Sequence, residues 1–208
     1  MNYNYPQIFA EQFKMIDENG ELHQPTRSNK IIMPFHNAIA KQIENETVFF
    51  VNSLTTGFMK EERVYGPYGS KRVDIAIHDE FMNLRGVILF KGIRSSYNKN
   101  ANNFIENMRG ESSLLIDARI PVYQIIFIPT IIRTPDPLKK DIPTLKSMEN
   151  YNSFIRYANT HPFWQNLKVG VYYIDVDYNN YTGQYADKKI DLVENSLNEG
   201  ISNFVGVI

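Results

Sequence analysis

Two nearly uninterrupted apolar runs, RGVILFKGI at 85–93 and PVYQIIFIPTII at 121–132, constrain this chain more than any other feature. A strand with one wetted face alternates apolar and polar residues. A short run that is apolar at almost every position fits a strand covered on both faces, in a sheet with helices above and below. Between the runs, SSYNKNANNFIENMRGESSLLIDARI reads as a loop and then a helix. Upstream, Ser28 precedes KIIMPFHNAIAKQIENE, where Ile32, Phe35, Ile39 and Ile43 recur every three or four residues, so a helix with Pro34 near its first turn is expected. VFFVNSL reads as a buried strand or a strand-like end of the helix connection. GPYGSKRVDIAIH reads as a Gly/Pro turn leading into one alternating strand, with Val73, Ile75 and Ile77 opposite Asp74 and Ala76. The order helix, strand, strand, helix, strand defines a mixed α/β layer.

The flanks add to this core. FKMIDENGELHQP reads as a short hairpin turning at Asn19-Gly20, a dipeptide that tolerates positive φ. RTPDPLKKDIPTLK, with Pro135, Pro137 and Pro143, reads as a surface loop. MENYNSFIRYANTHPFWQNL then reads as a helix whose exit is packed by His161 to Trp164, KVGVYYIDVDYNN as a strand, and KKIDLVENSLNEGISNFVGVI as a terminal helix and tail. The expectation is one domain over 1–208, with a core at about 30–132, an N-terminal hairpin and a C-terminal α/β extension of the same sheet.

Composition narrows the function classes. A chain of 208 residues is long enough for one well-buried core. It has no cysteine, which removes disulfide scaffolds, thiolate metal sites and cysteine nucleophiles and points to a cytoplasmic setting. With 22 Lys+Arg against 23 Asp+Glu, the balanced charge gives no overall signal for nucleic acid, and four scattered histidines suggest no metal cluster. No segment has the apolar length of a membrane span, so a soluble protein with no membrane partner is expected.

Chemistry concentrates around the first apolar run. Leu89 and Lys91, two apart on a strand, share a face, and Asp74 stands on the neighbouring strand. Hydrolysis of a phosphodiester with Mg²⁺ needs carboxylate oxygens to hold the cation and a positive group near the attacking water. Asp74 and Lys91 meet part of that need. The loop that follows, Arg94, Ser95, Ser96, Tyr97, Asn98, Lys99 and Asn100, is dense in donors for phosphates and base edges, and Lys71 and Arg72 lie beside Asp74. The same residues suit an ordinary solvated loop and turn, and Tyr65 and Tyr68 suit either DNA contact or packing.

Asp74 after a turn, a hairpin return, Lys91 closing the next strand, and then a helix and an apolar strand resemble the PD-(D/E)XK nuclease superfamily, type II restriction endonucleases in particular, over about 34–130. The resemblance implies a restriction-endonuclease-like fold, a mixed central sheet flanked by helices. It also implies Mg²⁺ as cofactor, double-stranded DNA as substrate and a homodimer. Carried over, Asp74 is a metal ligand, Phe90 offers its carbonyl to the metal, and Lys91 is the catalytic lysine. The chain departs from the pattern at Val73, in place of proline, and at Leu89, in place of the second acid; a leucine cannot ligate a hard cation. Some members carry that acid on the following helix. A helix starting near Ala101 and running back along the sheet brings Glu111 level with Lys91, on a stripe with Phe104, Met108 and Leu115, while Glu106 points away. Gly110 beside it would permit a close backbone approach, and Glu46 is a spare acid on its own helix. The expected activity is a Mg²⁺-dependent endonuclease of restriction type. The alternatives are a structure-specific repair nuclease on the same scaffold, and a non-catalytic DNA-binding or assembly protein that lost the acid at position 89.

Overall fold

Both apolar runs become strands at the centre of a six-stranded sheet. The computed structural model describes residues 2–18, 29–94, 97–133, 140–141, 145–160, 165–187 and 196–208. Along the chain the elements are α1 (Tyr5–Glu18), α2 (Asn29–Glu46), β1 (Phe50–Ser53), β2 (Glu62–Gly66), β3 (Gly69–Val73), β4 (Ile75–His78) and β5 (Leu84–Gly92). There follow α3 (Tyr97–Asp117), β6 (Val122–Pro129), β7 (Ile132–Arg133), β8 (Lys140–Asp141), α4 (Leu145–Thr160), β9 (Leu167–Asp177), β10 (Thr182–Tyr185) and α5 (Leu197–Val205). The main sheet has the order β1-β4-β5-β6-β9-β10. The pairs β5–β6 and β6–β9 are parallel, and β1–β4, β4–β5 and β9–β10 are antiparallel. Among the described residues no helix is long and apolar enough to cross a membrane.

The near-continuous hydrophobicity of the central strands follows from cover on both sides. On one face Val87, Leu89, Val122, Ile126, Val169 and Val171 pack with α3 and α4. The alternate residues Ile88, Ile125, Phe127, Tyr172 and Ile174 pack with α1, α2 and α5 on the other. The period of two along each strand therefore divides one apolar run between two cores.

Three expectations change. The proposed N-terminal hairpin is helical as far as Glu18, because Tyr5, Phe9 and Phe13, four residues apart, make a stripe that is buried against α2 and the sheet; Asn19-Gly20 lies outside the described residues. The single strand read across 70–77 is two strands. The chain bends at Asp74, so that β3 pairs with β2 in a separate two-stranded ribbon while β4 enters the main sheet. The core is also wider than 30–132, since β9 lies between β6 and β10, and α1 and α5 close one hydrophobic cluster. Pro34 is inside α2, and the half of that helix following it buries Phe35, Ile39 and Ile43 completely. In the segment read as a surface loop, β7 and β8 form a two-residue ladder. Residues 161–164 lie outside the described residues.

Candidate functional site around Asp74

The bend at Asp74 puts its carboxylate where β4 has left the edge of β5. Its Oδ2 accepts a hydrogen bond from the Phe90 N–H at 2.7 Å. In an antiparallel ladder the N–H and C=O of one residue leave the strand on the same side, so the Phe90 carbonyl is directed to that side too. The Asp74 side chain is 23% exposed. Burial raises its carboxyl to a pKa of about 6, against the lowering effects of the Phe90 hydrogen bond, Lys71 and Lys91; the Glu111 carboxylate pushes it further up. Both lysines and the helix-borne glutamate are thus within electrostatic reach of Asp74.

Their individual partners are specific. Lys91, at the end of β5, is half-buried and lies 5.3 Å from the centroid of the Phe104 ring on α3, a cation–π contact. Lys71, read from sequence as a phosphate contact, binds Glu111 Oε1 at 2.8 Å. Glu111 is 43% exposed and this ion pair ties α3 to the ribbon. It flanks the buried stripe of Ile105, Met108, Ser112 and Leu115. The expected role of Gly110 is not found, since a Cβ there would meet nothing within 4 Å, so no backbone approaches closely and α3 continues through it. Leu89 is 4% exposed among Val87, Met108 and Leu115. Position 89 is therefore a core position, where a carboxylate would lose its hydration without a partner. Glu106 is exposed, and Glu46 is engaged at the α2–α5 contact by Gln42 at 2.9 Å and Ser202 at 2.7 Å.

The loop after β5 contributes less than its composition suggested. Arg94 turns back into the protein and donates to Gln12 Oε1 of α1 from Nε at 3.1 Å and Nη2 at 2.8 Å, and burial lowers its pKa to about 10. Ser95 and Ser96, and the side chains of Tyr97, Asn98 and Lys99, lie outside the described residues. The adjacent Arg72 points away from Lys71, to the exposed side of the ribbon.

His36 was not anticipated. It is fully buried on α2, with Nε2 3.9 Å from Asp74 Oδ1, and among the described residues neither ring nitrogen has a hydrogen-bond partner. Burial lowers its pKa to about 4; Glu61 acts to raise it and Arg94 to lower it, so the imidazole is neutral. Its spacing from Ile39 and Ile43 would have placed it on the inner face of the helix.

The gap between Asp74 Oδ1 and His36 Nε2 is less than the roughly 4.2 Å that two metal–ligand bonds span end to end. Among the described residues no three His, Asp, Glu or Cys side chains converge as a ready-made cation site. The donors at hand are one carboxylate, one unpartnered imidazole, the Phe90 carbonyl and a glutamate held by lysine. That set fits a cation that keeps several of its waters, as Mg²⁺ commonly does beside one or two carboxylates. No family model, no curated protein and no solved structure matches this chain.

Proposed function

We propose that this protein is a divalent-cation-dependent endonuclease acting on duplex DNA, with a restriction-endonuclease-like fold and its reactive centre at Asp74. The observation that carries the reading is a single one: a partly exposed carboxylate, of weakened acidity, stands at the end of the central strands within electrostatic reach of Lys91 and against an imidazole whose nitrogens have no hydrogen-bond partner among the described residues. Ligand sites in open α/β sheets favour this edge, the carboxyl ends of the parallel strands. Asp74 and the Phe90 carbonyl would hold the cation. Bound there, it supplies Lewis-acid polarisation of the phosphodiester and lowers the pKa of its water. Lys91, whose ammonium group lies over the Phe104 ring, sets a positive charge beside the developing anion.

Two side chains compete to complete the donor set. Glu111, once released from Lys71, gives an all-oxygen site suited to Mg²⁺, whereas His36 shifts preference towards Mn²⁺ and softer ions. Cleavage of a long mixed-sequence duplex with Mg²⁺ and with Mn²⁺, by the parent and by Asp74→Asn, tests the activity. Discrete fragments made by the parent and not by the variant support a restriction enzyme, a smear supports a nonspecific nuclease, and no cutting with either ion rejects catalysis. A homodimer is the form implied by the resemblance, and sedimentation equilibrium checks it.

A second reading, a non-catalytic DNA-binding or assembly protein, is favoured by one arrangement. The 2.8 Å Lys71–Glu111 pair neutralises the helix-borne acid that acts on Asp74, and Leu89 is core. Retained DNA binding without cleavage in either ion selects it.

A further inference from the structure

The ribbon formed by β2 and β3 has two unlike faces. Inward, Val64 and Val73 join the hydrophobic core and Lys71 binds Glu111, so this face is committed to α3. Gly66 reinforces the contact: a Cβ there would lie 2.6 Å from the Leu114 carbonyl oxygen. Outward, Arg63 and Arg72 stand directly opposite one another, with Tyr65 opposite Ser70 beyond them. Tyr65 is 74% exposed, and Tyr68 at the turn is 87% exposed.

Like charges set opposite each other across an antiparallel pair destabilise it. Among the described residues neither guanidinium has a carboxylate at salt-bridge distance, and Arg63 bonds Ser70 Oγ at 3.2 Å. At the base of the ribbon the two arginines line a cavity of about 600 Å³ together with Lys60, Glu61 and Glu62, so the cationic surface without an acid beside it is the outer part of the ribbon face. Two opposed cations and two exposed tyrosines on this outward face suit a polyanion with flat apolar surfaces. A two-stranded ribbon is also of a width that the major groove of DNA admits.

We infer that the outward face of this ribbon is the element that enters the major groove of duplex DNA, with Arg63 and Arg72 on phosphates and Tyr65 and Tyr68 on sugars and base edges. The inference rests on the DNA reading above and deepens it, moving recognition from the loop after β5 to a rigid arm whose last residue adjoins Asp74. Rigidity matters here because an arm already held in place loses little further freedom on binding.

The test is titration of a labelled mixed-sequence duplex in EDTA, where binding is read without cleavage, over a series of salt concentrations. The proteins are the parent, Arg63→Ala/Arg72→Ala, Tyr65→Ala/Tyr68→Ala, and Lys14→Ala/Lys41→Ala on α1 and α2 as a charge-matched control. All the ribbon changes are at outward positions, and thermal melting verifies that each variant is folded. Each neutralised phosphate contributes about 0.9 to the slope of log affinity against log salt, so the arginine double variant should lose about two units of slope. The tyrosine double variant should bind several-fold more weakly with the slope unchanged, and the control should match the parent. If the parent binds duplex and both ribbon variants bind as tightly with its slope, the ribbon is not the reader while the DNA reading stands. A preference for single strands over duplex overturns the groove geometry, and a parent that binds no DNA at any salt overturns both proposals.

Discussion

The two faces of the sheet are built differently, and Asp74 lies at the boundary. The face under α1, α2 and α5 is aromatic: Phe35 stacks on Phe90 at 4.2 Å and meets Phe127 edge-on at 4.9 Å, and Phe9, Tyr123, Tyr172 and Phe204 continue the cluster. It also traps polar groups, including the unpartnered nitrogens of His36. The face under α3 and α4 is mainly aliphatic, and at its margin charge remains within reach of water, as in Lys71–Glu111 and in Lys91 on Phe104. The contrast teaches that the carboxylate draws on two environments: one side removes its hydration and raises its pKa, and the other supplies the cations that offset this.

The largest expected effect is on cleavage. Asp74→Asn and Lys91→Ala should each lower the rate by about a thousandfold, the scale of removing a group that stabilises developing charge. The decisive comparison is between His36→Gln and Glu111→Gln, assayed with Mg²⁺ and Mn²⁺. Loss in Glu111→Gln alone makes the charged margin the working side. Loss in His36→Gln alone makes it the aromatic side.

Next comes stability. Phe35→Ala empties a completely buried aromatic site and should cost about 3–5 kcal/mol in denaturant unfolding. A cost under about 1 kcal/mol would mean that the aromatic face is not the close-packed one.

The pH dependence is smaller and carries two signs. Asp74 has a folded pKa raised to about 6, so its folded form binds a proton that the unfolded chain has released, and stability falls as pH rises from about 4 to 6. His36 has a folded pKa lowered to about 4, so the unfolded chain takes the proton first, and stability falls as pH drops from 6.5 towards 4. Each contribution is at most about 3 kcal/mol, and over this window they oppose one another. Relative to the parent, Asp74→Asn should show stability rising more steeply with pH between 4 and 6, and His36→Gln the reverse. Parallel profiles would disprove the linked pair.

The smallest effect is expected at Gly110, where the surroundings are open. Gly110→Ala should stabilise α3 by about 0.5–1 kcal/mol and leave cleavage unchanged, as judged by thermal melting and the duplex assay.

Hydrophobic pattern made the centre of this fold legible and the connections much less so. Runs at 85–93 and 121–132 could be read as doubly covered strands because burial on both faces leaves no other composition workable. The ribbon escaped notice because ERVYG and GSKRV are largely polar, and the turn between them looked like a lead-in to one strand. Asn19-Gly20 suggested a hairpin that the four-residue spacing of Tyr5, Phe9 and Phe13 should have outweighed. Within the site, Lys91 follows from strand alternation and the return of Glu111 towards it from helix length, whereas the bend that aims the Asp74 carboxylate at Phe90 interrupts the alternation read there. Its capture by Lys71 does not, since that pairing depends on a ribbon folding over α3. His36 is a tertiary fact as well: only the bend at Asp74 sets an aspartate against it.

The seating of Gly66 on Leu114 gives the molecule a fixed interval. Five residues separate the ribbon's turn from Asp74, a reach of about 17 Å at strand spacing. With the arm seated on its helix, a duplex engaged by the turn would meet the carboxylate about five base-pair steps away. The offset between the bases that are sensed and the bond that is broken would then be ruled by backbone length alone, and lengthening or shortening the hairpin by two residues should move the cut.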